Sequence, residues 1–153
     1  MSIPTAGPGI GLRFASIDYL MTCTPGCTKG DIMMVSKDTV VNDTFTTVIV
    51  PTAIAGASDD IESVDTGIAC VALETVAAGK TGMFRFAGMV EAIANGTPGP
   101  GLGVEVSLDT TGKLALATAG EKCVGFSVDT AVNDEVSTFI FDGINGFAGA
   151  FTD

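Results

Sequence analysis

The sequence predicts an all-β domain, a single barrel, tulip-like domain or sandwich. Three observations carry this. Short runs rich in Val, Thr, Ile and Phe recur along the chain. Turn chemistry separates them at intervals of roughly 8–14 residues. No stretch shows a sustained helical period, and 20 Gly and 6 Pro among 153 residues leave little room for long helices.

In chain order, residues 1–12 (MSIPTAGPGIGL) hold Pro4, Pro8 and three glycines, which forbid a regular element. An extended arm is expected there, over residues 1–20 at most, with mixed strand patterning from Arg13 to Leu20. Pro25-Gly26 marks a turn. Asp31 to Ser36 is a short apolar run, and Thr44 to Val50 is dense in β-branched residues and stops at Pro51. Residues 51–66, small and acidic, read as a surface loop. Ile68 to Leu73 is continuously apolar. Met83–Ala87 and Met89–Ile93 read as two strands flanking a bulge or kink at Gly88.

Val104, Val106 and Leu108 alternate with Glu105 and Ser107. Asp109 and Gly112 then suit the first and fourth positions of a type I turn, and Leu114 and Leu116 continue the pattern on a return strand. Val124, Phe126 and Val128 are expected on one face of the next strand, and Glu135 to Phe141 forms the last. About nine or ten strands result, with the domain over residues 21–142 and a Gly-rich tail over 143–153.

Composition narrows function. With 18 acidic and 7 basic residues the net charge is −11, so phosphate backbones would repel the chain and no nucleic-acid partner is expected. No run approaches the ~18 apolar residues of a membrane-spanning helix, and the first residues lack the pattern of a signal peptide. Histidine is absent, which removes the commonest general base and metal ligand. Apolar residues make up 46% and charged residues 16%, and mean hydropathy is +0.48. A small domain this apolar is expected to cover part of its surface with other protein.

The motifs with chemical overtones read more simply as structure. Ala78-Gly79-Lys80-Thr81 ends like a phosphate-binding loop, but Glu74 stands where that loop needs glycine, and a strand follows rather than a helix. The glycine series 7, 9, 11 and 99, 101, 103 open no helix. Cys23 and Cys27 are the only close pair among four cysteines, and free thiols are expected over a disulfide or a zinc site. Asp59-Asp60 and Asp134-Glu135 read as solvated loop acids rather than a catalytic pair. The sequons at Asn42 and Asn95 are expected to go unmodified. No catalytic residue, cofactor or metal is expected, and the protein is read as a non-enzyme.

Two segments look built for contact. Ile3, Pro4, Ile10 and Leu12 give the arm apolar and rigid positions that a linker does not need. Phe147 and Phe151 place two aromatic rings in a Gly/Ala tail, where they are expected to dock on the barrel or on a partner.

From Gly26-Cys27-Thr28-Lys29-Gly30-Asp31 into Ile32–Val35 the chain resembles the small phage capsid decoration, or cement, proteins. The likeness continues at Gly67–Leu73, Ala77–Gly79, Gly82–Ala94, Gly103–Lys113, Val124–Ser127 and Val136–Phe141. It is a pattern of strands and turns without a chemical signature. The resemblance implies a β-barrel or tulip domain on the outer surface of a phage head, made in the host cytoplasm. It implies the major capsid protein as partner and self-association, a homotrimer or else a dimer. The acidic loop at 51–66 and the Phe-bearing tail depart from that pattern. The alternatives are a head fibre, a tail component or a host-surface adhesin, and more remotely a small hydrolase. The absence of Trp and of long hairpins weighs against the adhesin and the tail tube.

Overall fold

The computed structural model describes residues 16–36, 40–41, 44–50, 68–96, 99–108, 112–118 and 123–144. Among them there is no helix. The strands are β1 (Ile17–Cys23), β2 (Ile32–Val35), β3 (Val40–Val41), β4 (Thr44–Phe45), β5 (Thr47–Ile49), β6 (Ala69–Ala72), β7 (Lys80–Ile93), β8 (Glu105–Leu108), β9 (Leu114–Leu116), β10 (Gly125–Ser127) and β11 (Val136–Asp142).

Five of these close a barrel. The order β1-β5-β2-β6-β7 returns to β1 through an antiparallel β1–β7 ladder. Among the described strands, β1 and β5 form the one parallel ladder. Closure removes the exposed edges that a small open sheet would present. The sheet continues beyond the ring as β7-β11-β10-β8-β9, and a bridge between Ala94 and Leu114 brings β9 back to the end of β7.

The expected pair of strands around Gly88 is one 14-residue strand. Its first half pairs β1, its second half pairs β11, and the hand-over falls at Ala87 and Gly88. Gly88 has φ 120°, a conformation that bulky residues avoid. The strand stays continuous there, in register with β11. Residues 44–50 do divide: pairing passes from β3 to β1 and β2 around Thr46, whose carbonyl accepts a hydrogen bond from Thr22 N at 2.9 Å.

Two buried cores lie on either side of the β2–β6 wall. Met33, Val35, Cys70 and Ala72 join Met21, Val48, Phe84 and Phe86 inside the barrel. The alternate residues Ile32, Met34, Ala69 and Val71 join Val90, Val106, Leu114, Phe139 and Phe141 in the second core. This is why both strands read as unbroken apolar runs: both faces are covered by protein.

Three sequence expectations change. The barrel begins at Ile17, not residue 21, because Ile17–Leu20 already pair with β7. Along β10 the expected common face of Val124, Phe126 and Val128 runs from buried through half-buried to exposed, while Gly125 and Ser127 are buried. The polar Ser127 is tolerated inside because its hydroxyl donates to the Asp129 carbonyl. At the other end, Gly143 and Ile144 belong to the domain rather than to the tail, for reasons given below. The proposed turn at 109–111 and the loop at 51–66 fall outside the described residues, although β8 and β9 do form the expected hairpin.

Candidate functional site

The two ends of the barrel differ. At the Cys23 end, two turns are laced together. Cys27 N donates to Val76 O at 2.8 Å, Val76 N returns a bond to Cys27 O at 2.9 Å, and Gly79 N donates to Cys23 O at 2.8 Å. Lys80 N bonds Ala77 O at 3.0 Å, so the Ala78–Thr81 segment is a β-turn feeding a strand and not a phosphate cradle. Buried Cys23 and Cys70 and half-buried Cys27 cluster behind these turns as free thiols. Burial, helped by the neighbouring Cys23, pushes the Cys27 thiol up to about 12. Burial likewise raises Cys70 and Cys123. Such thiols are poor nucleophiles and poor ligands at neutral pH. Among the described residues no three His, Cys, Asp or Glu gather into a metal-holding group.

At the Ile17 end the barrel core opens into a groove of about 440 Å³. Met21, Val35 and Phe86, all buried, form its floor, and Tyr19, Phe45 and Ile144 stand among its walls. Among the described residues that line it, none is charged. Tyr19 packs edge-on against Phe86 with ring centroids 5.6 Å apart, a favoured aromatic geometry. Yet Tyr19 remains 58% exposed and the adjoining Leu20 65%. Ile17, Val41 and Phe45 extend this apolar surface.

The described residues end at this groove. After β11, Gly143 N donates to Phe86 O and Gly143 O accepts from Ala69 N, both at 2.9 Å. Gly143 is thereby held between β6 and β7. A Cβ there would lie 2.0 Å from Ala69 O, so no other residue fits without displacing backbone. Ile144 follows, its N–H bonded to Asp142 Oδ1 at 3.0 Å and its side chain packed on the barrel core.

Charged groups near the groove and the second sheet are paired. Arg85 makes a fork to Asp18 at 2.8 and 2.9 Å and a third bond to Met89 O at 2.7 Å. The hydrogen-bonded guanidinium holds the Asp18 carboxyl below its ordinary range. Lys113 pairs with Asp134 and holds that carboxyl low as well. Asp134 is thus an ion-pair partner in a turn, as expected for a loop acid; Asp59 and Asp60 lie outside the described residues.

Ile3, Pro4, Ile10 and Leu12, and likewise Phe147 and Phe151, also lie outside the described residues. Of the described residues next to these segments, Tyr19–Met21 of β1 and Ile144 line the groove. Sequence reading missed the groove itself. Its signal was the contiguous Tyr19-Leu20-Met21, apolar toward both faces of a strand that has one face inside a barrel.

Neither a protein-family model nor a curated protein matches the chain. Among solved structures the chain is similar to the crystal structure of the head fibre gp8.5 N base of bacteriophage phi29. The TM-score is 0.56 at 11% identity, over 88% of this chain and 100% of that one. At that identity the likeness shows a shared fold.

Proposed function

We propose that the protein is a structural component of a phage virion. In this reading it binds the outer surface of the head through the major capsid protein and stabilises contacts between capsid subunits. The observation that carries the reading is the barrel fold, shared with the N base of a phage head fibre. The apolar groove, beside which β1 and β11 come together at Ala87, supports it further. The net charge of −11 suits a position outside a DNA-filled shell. The role is mechanical rather than enzymatic. A module that binds the assembled lattice and not its separated subunits stabilises the lattice by mass action. The exposed apolar surface around Tyr19, Leu20 and Phe45 also favours self-association, with a homotrimer as the proposed state.

A second reading, a head-fibre base that carries a projection, is favoured by the same structural likeness. Heads lacking the protein, mixed with purified protein and imaged by cryo-electron microscopy, test both. Density on the outer surface is expected, with three-fold clustering where copies associate. Under the cement reading, bound protein raises the temperature at which heads rupture. Under the fibre reading, it binds and leaves that temperature unchanged. No binding to heads overturns both.

A further inference from the structure

Three of the four thiols meet at the laced end of the barrel. Cys23 and Cys70 are fully buried in the barrel core, and half-buried Cys27 packs against that core from the turn that follows β1. We propose that Cys23 and Cys27 are a redox pair, held as free thiols in a reducing compartment and closed into a disulfide by oxidation, which locks this end of the barrel.

The backbone sets the pair. Gly26 N donates to Cys23 O at 3.4 Å, and Gly26 takes φ 78°, so the chain reverses between the two cysteines. Both are also anchored from outside the turn. Cys23 pairs with Val48 of β5 and Lys80 of β7, and Cys27 exchanges both backbone bonds with Val76. The two thiols lie within hydrogen-bonding reach of each other. Bridging brings the sulfur atoms from that contact to the ~2.05 Å of a disulfide. Cys70 stands apart on β6, its thiol donating to Met33 O at 3.7 Å. Buried Cys123 donates to Gly125 O at 3.4 Å.

Exposure decides the order of events, because Cys27 is the thiol of the pair that a solute can reach. With oxidised glutathione as the oxidant, the Cys27 thiolate attacks one of its sulfur atoms. The glutathione S–S bond breaks and one glutathione thiolate leaves. The Cys23 thiolate then attacks the Cys27 sulfur and expels the second. The protons lost by the two cysteines pass to the two released thiolates, so two protein thiols are oxidised and one glutathione disulfide is reduced. Burial keeps the Cys27 thiol protonated and the first step slow. A particle that assembles in a reducing cytoplasm and is released into an oxidising medium passes through this change. That occasion rests on the proposed function, whereas the bridging itself does not.

Mass mapping of the full-length protein provides the test. The tryptic segment from Phe14 to Lys29 holds Cys23 and Cys27 and no other cysteine. In freshly reduced protein every cysteine should alkylate in denaturant. After incubation with oxidised glutathione, that segment should lose the mass of two hydrogen atoms and resist alkylation, while Cys70 and Cys123 still alkylate. The bridged protein should melt several degrees higher, since a cross-link constrains the unfolded chain, and dithiothreitol should restore the starting value. Cys23→Ser should instead retain glutathione on Cys27, because the resolving thiol is gone. The wild-type map decides even where that variant folds poorly. A full set of free thiols after prolonged oxidation, a glutathione adduct that persists on wild-type Cys27, or a bridge to Cys70 overturns the proposal. So does a bridged protein that melts no higher than the reduced one. None of these readouts involves heads, so failure here leaves the virion reading standing.

Discussion

Ile17, the first residue of β1, and Asp142, the last of β11, pair with the same residue, Ala87, from opposite sides. Adjacent strands lie ~4.8 Å apart, so the two ends of the domain are separated by about 10 Å. The first and last strands of the described domain therefore end beside each other at one edge of the barrel.

Deleting residues 2–12 tests the arm. Because β1 begins at Ile17, the melting temperature should change by no more than ~2 °C, a fraction of a kcal/mol for a domain of this size. Head binding should fall at least tenfold, which corresponds to ~1.4 kcal/mol. The proposed contact is an extended strand added to a capsid sheet edge, with Ile3, Pro4, Ile10 and Leu12 providing fit. Equal decoration by truncated and full-length protein removes the arm from the mechanism.

Asp18 and Arg85 form a two-pronged ion pair with about a quarter of each side chain exposed. Asp18→Asn should cost about 0.5–1 kcal/mol at pH 7, the upper part of the range for surface pairs. The folded carboxyl titrates below the unfolded value of ~3.9. Its contribution is therefore complete above that value and is lost as pH falls through the lower, folded one. Denaturant melts of wild type and variant should differ at pH 7 and converge in strong acid. A constant gap across that range would show that Asp18 acts through packing instead.

Gly143→Ala places a methyl group against Ala69 O at 2.0 Å. The strand ends must separate, weakening the hydrogen bonds of Gly143 to Phe86 and Ala69. A loss of ~1–3 kcal/mol is expected, read as a Tm drop of several degrees. Gly79→Ala serves as the contrast. Its Cβ would meet nothing within 4 Å, so only the positive φ of 74° opposes it, at about 1 kcal/mol.

Thiol titration should count four cysteines in denaturant and almost none within minutes in the native state, since three are buried and Cys27 is half-buried. A denaturing count of two would mean that Cys23 and Cys27 are bridged. The pH dependence has a definite sign. An unfolded thiol loses its proton near ~8.5, whereas folded Cys27 holds it up to about 12. Stability should therefore fall as pH rises through that window. Cys27→Ser should flatten the alkaline side of the curve.

Local patterning was enough to determine the class of fold. β-Branched runs cannot be extended into helices past Pro51 or through the 99–103 glycine series, and the β8–β9 hairpin follows from alternation plus one turn. The freedom of the four cysteines was legible too, because Cys70 sits in an apolar run and only one close pair exists. The apolar runs Ile32–Val35 and Ala69–Ala72 announced burial on both faces. Which face belongs to which core depends on β2 and β6 separating the barrel core from the second core. The length of β7 was likewise decided by non-local contacts, its first half pairing with β1 and its second half with β11. The groove is the clearest case. Tyr19, Phe45, Phe86 and Ile144 are far apart in sequence, and none advertises a site by its own chemistry. They come together because the β1–β7 ladder closes a ring and carries both chain ends to Ala87. Periodicity within a strand fixes which residues can be buried, but only pairing between distant strands sets where a closed barrel opens.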